Sequence, residues 1–116
     1  MRLDRGDVQL FDDAGALLWS GRPLGHGASV VLPVPETNDA IVLLNPDEQV
    51  NGRFGNLLRL SADGSVSWQA VPVFENNDVF VAVEWLGDKL MANTWSGYRV
   101  VVEVDTGLPL ETAFTK

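Results

Sequence analysis

The chain carries few residues suited to acid–base or metal chemistry. Its one histidine, His26, sits in "PLGHGAS" with glycine on either side. A general base must be held in fixed geometry near the group it activates. Ser29 follows, but Gly25 and Gly27 loosen the turn, so His26 is expected as an exposed loop residue. The absence of cysteine removes disulfides, thiolate metal sites and a cysteine nucleophile. A zinc ion would need carboxylates around one imidazole, an uncommon set. The acidic turns "DDAG" and "NPDE" lack the D-x-[DN]-x-[DN]-G spacing of a calcium loop, and neither G-x-G-x-x-G nor G-x-x-x-x-G-K-[ST] occurs. "ENND" (Glu75–Asp78) offers oxygen ligands but reads as a polar loop. Any two of the 16 acids could face each other as a glycosidase pair does, and their presence alone predicts nothing. No catalytic residue, metal site or cofactor is expected.

Two groups suit binding better. The loop "NPDEQVNGRFGN" (Asn45–Asn56) is long for a compact β domain, and long loops are often functional. It sets Arg53 and Phe54 between Gly52 and Gly55, and arginine with an aromatic is a common interface centre. The alternative places Phe54 under the loop and Arg53 in solvent. The second group is Trp85, Trp95 and Tyr98. On "VFVAVEWL", alternation puts Val79, Val81, Val83 and Trp85 on one apolar face, expected as core. Phe80, Ala82, Glu84 and Leu86 take the other. On "KLMANTW", Leu90, Ala92 and Thr94 share a face opposite Lys89, Met91, Asn93 and Trp95. Trp95 ends its strand and Tyr98 begins the next, so the two are placed to pair across the turn. Simple packing would explain them; an aromatic platform is the alternative. With acids such as Glu84 or Glu103 beside it, that platform would line a small-molecule pocket.

The elements that position these residues are strands. No stretch keeps the apolar spacing of a helix, and 11 glycines and 6 prolines interrupt the chain. Short runs rich in Val, Leu, Phe and Trp recur instead. Strands are expected at Asp7–Asp12, Ala16–Ser20, Ala28–Val34, Ala40–Asn45, Asn56–Ser61, Ser65–Val71, Val79–Leu86, Lys89–Trp95, Tyr98–Asp105 and Leu110–Thr115. "ADGS" (Ala62–Ser65) has the Asp-Gly chemistry of a tight hairpin turn. "DDAGA", "DTGL", "LGDK" and "WSGY" supply further glycine turns. The 116 residues are expected to form one all-β domain, an antiparallel meander over residues 1–116.

The turns expose a repeat. "FDDAGALLW" (Phe11–Trp19) and "LSADGSVSW" (Leu60–Trp68) are both apolar-x3-Gly-x3-Trp. "VDTGLPLE" is a third copy, with Glu111 where tryptophan would stand. Gly15, Gly64 and Gly107 recur at roughly 45-residue intervals, a spacing typical of propeller blades. Asp105, Thr106 and Gly107, with Gly15–Trp19 and Gly64–Trp68, resemble the quinoprotein-type β-propeller repeat, Asp-x-x-Thr-Gly-x-x-x-Trp. The stretch from Ala40 to Lys116 resembles small uncharacterised bacterial proteins ending in W-S-G-Y-x-V … D-x-x-T-G … F-T-K. Trp95, Ser96, Gly97, Tyr98, Val100, Asp105, Thr106, Gly107, Phe114, Thr115 and Lys116 carry that likeness. It implies a fold and no chemistry. A closed propeller needs at least about four blades of four strands, more than this chain holds. The expectation is an open sheet or sandwich of blade-like hairpins. The alternatives are a small barrel or an incomplete propeller completed by a homo-oligomer.

Net charge narrows the partners. Sixteen acids against eight bases give −8, which repels nucleic acid. No basic patch interleaves with aromatics, since Arg53, Arg59 and Arg99 are isolated. The longest apolar runs, such as "AIVLL", are too short to span a bilayer, and the N-terminus shows no signal-peptide core. A cytoplasmic protein is expected. The leading functional reading is a non-catalytic acidic β domain that binds a protein partner with a basic surface, in the manner of immunity proteins. The alternative is a small-molecule binder or unrecognised enzyme with the aromatic and acidic pocket above.

Overall fold

The structure is a computed structural model and describes residues 1–46, 54–72 and 78–115. Eleven strands run in order: β1 (Arg2–Asp4), β2 (Asp7–Phe11), β3 (Leu17–Gly21), β4 (Ala28–Pro33), β5 (Ala40–Leu44), β6 (Leu57–Leu60), β7 (Val66–Ala70), β8 (Phe80–Leu86), β9 (Lys89–Thr94), β10 (Tyr98–Val102) and β11 (Pro109–Phe114). They form three antiparallel sheets, and none closes into a barrel. The first sheet is β1-β2-β3, the middle one β4-β5-β6-β7 and the last β8-β9-β10-β11. The chain is thus all-β and open, as its pattern predicts.

Burial shows how the sheets stack. Every residue of β5, "AIVLL", is buried, as expected of a strand covered on both faces. Ile41 and Leu43 pack with Phe80, Val83, Leu90 and Val100 of the last sheet. Ala40, Val42 and Leu44 pack with Val8 and Leu10 of the first. Each Leu or Val so enclosed contributes about 1.5–3 kcal/mol. The outer faces differ in chemistry. Arg2, Gln9 and Ser20 form one cross-strand row on the first sheet. On the last sheet Glu84, Met91, Val101 and Glu111 form one row, in which Glu84 and Glu111 are exposed and Val101 is buried, and Ala82, Asn93, Arg99 and Ala113 form the next. Charged and polar side chains occupy both ends of the stack.

The glycine–tryptophan repeat is a junction device. In each copy the third residue after the turn glycine (Leu18, Ser67 or Leu110) is an unpaired bulge residue, where the register shifts. The bulge aims the following residue across to the neighbouring sheet. Trp19 of the first sheet lies on Gly64 of the middle one, and Trp68 lies on Gly107 of the last. A Cβ on Gly107 would sit 2.6 Å from the Trp68 ring, and the Trp68 indole N–H donates to the Val104 carbonyl at 2.8 Å. These glycines therefore serve two ends, positive φ in the turn (90° and 77°) and bare backbone under an indole. Glu111, in place of a third tryptophan, lies on the last of the three described sheets.

Two local expectations change. Strand β1 is additional; its only apolar residue, Leu3, leaves little pattern to read, and the Arg5–Gly6 turn pairs it with β2. On β8 a bulge at Val81 shifts the phase: Phe80 pairs with Thr94 and Ala82 with Asn93. Phe80 thereby joins Val83 and Trp85 on the core side, and Val81 turns outward, 37% exposed. Trp85 is partly buried, and its indole N–H donates to the Pro33 carbonyl at 2.9 Å.

The Asp-Gly hairpin forms between β6 and β7. The exposed Asp63 Oδ1 accepts the Ser65 hydroxyl at 2.7 Å and the Ser65 N–H at 3.0 Å. These two bonds, the hydroxyl first, hold the Asp63 carboxyl below the usual aspartate value. Its folded pKa lies below the unfolded one, so its contribution is present at neutral pH and is lost as pH falls through the folded value. An NMR titration should find the Asp63 midpoint lower in the parent than in Ser65→Ala; equal midpoints would refute the cause.

Candidate functional site

The W-S-G-Y segment is a turn tied down from three sides. Gly97 N–H donates to the Thr94 carbonyl at 3.1 Å, and Gly97 has φ of 104°. Inside the turn, Ser96 donates its hydroxyl to Asp78 Oδ2 at 2.6 Å and its N–H to Oδ1 at 3.1 Å. Val79 N–H adds a third bond to Asp78 Oδ1 at 2.9 Å. Asp78 is 1% exposed, and these donors compensate a buried carboxylate. From the tail, the Thr115 N–H and hydroxyl both donate to the Gly97 carbonyl at 2.7 Å. The spacing shared by W-S-G-Y and F-T is thus a set of mutual hydrogen bonds. Lys116 lies outside the described residues, as do Glu75–Asn77 of "ENND".

This scaffold holds an apolar rim in solvent. Trp95, at the turn tip, is 69% exposed. Tyr98 is half-buried and packs on Phe114, ring centroids 5.2 Å apart. Along β11 every residue is exposed, with Leu108 just before it. Leu108, Leu110 and Phe114 are 63%, 63% and 62% exposed. Strand β10 holds the inner side of β11 through Val100 and Val102, which are core.

A family model described as "Domain of unknown function (DUF7957)" matches residues 29–114. The chain belongs to this family. The match begins inside β4 and ends at Phe114, so it takes in the middle and last sheets with the whole rim. Strands β1–β3 precede it. No curated protein and no solved structure matches the chain.

The other loop group resolves differently. Arg53 lies outside the described residues, with most of the Asn45–Asn56 loop. Phe54 is only 8% exposed and belongs to the core between the first and middle sheets. It meets the His26 ring edge-on, centroids 5.1 Å apart. Phe54 is therefore a core anchor of this family domain rather than a surface contact, and His26 is its partner.

The acids of the expected pocket lie in separate clefts, Glu103 with Lys89, Val102 and Leu110 in one of about 300 Å3 and Glu84 with Met91 and Asn93 in another. Glu84 pairs with Arg99 at 3.5 Å, and Glu103 accepts the Asp105 N–H at 3.1 Å in its own turn. A cavity of about 250 Å3 lies elsewhere, among Ala70, Pro72, Phe80, Val102 and Leu108. None of Trp95, Tyr98, Glu84 or Glu103 lines it. Among the described residues no group of three His, Asp or Glu side chains is placed to hold a metal.

Two polar residues that sequence reasoning passed over join the sheets. Asn56 is fully buried; it donates to the Leu44 and Phe80 carbonyls at 3.1 and 2.7 Å and accepts the Phe80 N–H at 2.9 Å. Arg59, 13% exposed, pairs with Asp39 at 2.9 Å and Asp105 at 3.3 Å and donates to the Val104 carbonyl at 3.1 Å. The only signal for Arg59 was a charge inside the apolar strand "LLRL". Asn56 had none, because its partners are remote in sequence.

Proposed function

We propose that this chain is a non-catalytic protein-binding module whose contact surface is the apolar rim of the last sheet. The observation that carries the reading is the joint exposure of Trp95, Leu108, Leu110 and Phe114 on one hairpin and its adjoining turn. Isolated exposed apolar residues are ordinary, but a row of them along one edge strand, with a tryptophan in the turn at one end, marks an interaction site. The net charge of −8 sets the sign of the partner's surface as basic. A chain without cysteine suits a reducing, cytoplasmic setting. The three stacked sheets, each with its glycine turn and bulge, read as an arc of blade-like units. In that reading the arc is the rigid support and the rim is the working surface.

Affinity purification from the native cell should return a stoichiometric partner whose association rate falls steeply with salt. Trp95→Ala should weaken that complex at least about tenfold, the loss of one hot-spot contact. It should leave thermal stability unchanged, because the side chain stands in solvent. Phe114→Asp should weaken the complex likewise, with a modest loss of thermal stability because the ring packs on Tyr98. Recovery of no stoichiometric partner, or a complex indifferent to both changes, would overturn the reading.

A further inference from the structure

We infer that the rim binds its partner by strand addition: an extended basic segment of another protein pairs with the free edge of β11. This rests on the protein-binding reading and specifies its mode. Among the described residues, strand β11 ends its sheet, with β10 on one side only. Which of its backbone groups face outward follows from the register. Thr115 N–H donates to the Gly97 carbonyl, in line with the pairs Tyr98–Phe114, Arg99–Ala113, Val100–Thr112 and Val101–Glu111. Hydrogen-bonded and non-bonded pairs alternate along an antiparallel ladder. Ala113 and Glu111 are therefore bonded to β10, and Thr112 and Phe114 turn their N–H and C=O groups to the open edge. That row of donors and acceptors is a template for another strand.

Two other edge strands differ from β11 in one respect. In β3 and β7, Trp19 and Trp68 fold onto the neighbouring sheet; β11 has Glu111 at that position and is exposed throughout. Charge selects the occupant. Glu103, Asp105 and Glu111 lie on the β10–β11 hairpin, and the one base there, Arg99, already pairs with Glu84. Lysine or arginine on the incoming strand would meet Glu111, and apolar residues on its other face would meet Phe114. A second copy fits poorly. Two-fold pairing about Thr112 would set the two Glu111 side chains on a diagonal of one face, about 7–8 Å apart, and would join two chains of −8.

The test uses proline at position 112. Thr112→Pro removes the outward N–H without touching a bond to β10, and proline is tolerated on an edge strand. Thr112→Ala keeps the N–H. The probe is a capped peptide of about eight residues, an ordinary strand length, in which valine and lysine alternate. Titrated against the whole chain, it should shift and protect the Thr112 and Phe114 amides. A valine–glutamate peptide should leave them unmoved. Affinity for the lysine probe should fall at least about tenfold in Thr112→Pro and stay within about twofold in Thr112→Ala. An unmoved edge, equal binding of the glutamate peptide, or undiminished binding by Thr112→Pro overturns strand addition. So does light scattering that finds a dimer in the parent and a monomer in Thr112→Pro. A native partner lost on Trp95→Ala but kept on Thr112→Pro would overturn strand addition alone. A partner kept by every variant would overturn the rim reading as well.

Discussion

Gly64→Ala should destabilise the fold by about 2–4 kcal/mol, and Gly15→Ala by only about 1 kcal/mol. Both glycines have nearly the same positive φ, 90° and 86°. An alanine pays a similar backbone penalty at either, of order 1–2 kcal/mol. Their surroundings differ. A Cβ on Gly64 would meet the Trp19 ring, and one on Gly15 meets nothing within 4 Å. The excess at Gly64 is therefore the cost of displacing an indole from a packed junction, about 1–3 kcal/mol. Urea unfolding should show it as a lower midpoint at constant slope. Trp19→Ala removes the obstacle, so the double variant should be less unstable than the two single losses combined. If Gly64→Ala costs no more than Gly15→Ala, the docking of one repeat's tryptophan on the next repeat's glycine is not what holds the sheets together.

The second large effect is expected at Asn56. Asn56→Ala strands the Phe80 N–H and two carbonyls in a site closed to solvent, at a cost of about 1–3 kcal/mol for each group left unpaired. A total loss above about 3 kcal/mol places this change among the severe ones. Asn56→Asp sharpens the test. It keeps the volume but aims a carboxylate at the Leu44 and Phe80 carbonyls, which need a donor. Burial and those oxygens would raise its folded pKa above the unfolded value. The variant should then be weakest at neutral pH and should gain stability relative to the parent as pH falls through that raised pKa. A flat difference in stability against pH would show that the amide's two donor bonds are not its contribution.

The two experiments address junctions of different legibility. Gly15–Trp19 and Gly64–Trp68 are visible as a repeat, and the glycine turns and most strand boundaries follow from adjacent residues. So does the change to Glu111 in the third copy. The mate of each tryptophan is not visible, because it lies one repeat further along the chain. Trp95 and Tyr98 stand out by type alone, and the partner of Tyr98 on the next strand, Phe114, does not. Phe54 also stands out, in a loop that reads as surface, and the fold draws it inside against His26.

Strand, turn and repeat are short-range properties, set by side-chain alternation and by the φ that a glycine allows, and reading along the chain is enough to find them. Which face is covered, and by what, is a long-range property. It needed the bulge at Val81 to bring Phe80 into the core, and Asn56 to bridge Leu44 and Phe80. The same stacking leaves β11 exposed along its whole length. Alternation defines two faces of a strand but carries no information about the sheet that packs on either one, so the exposed rim emerges only when all three sheets are stacked.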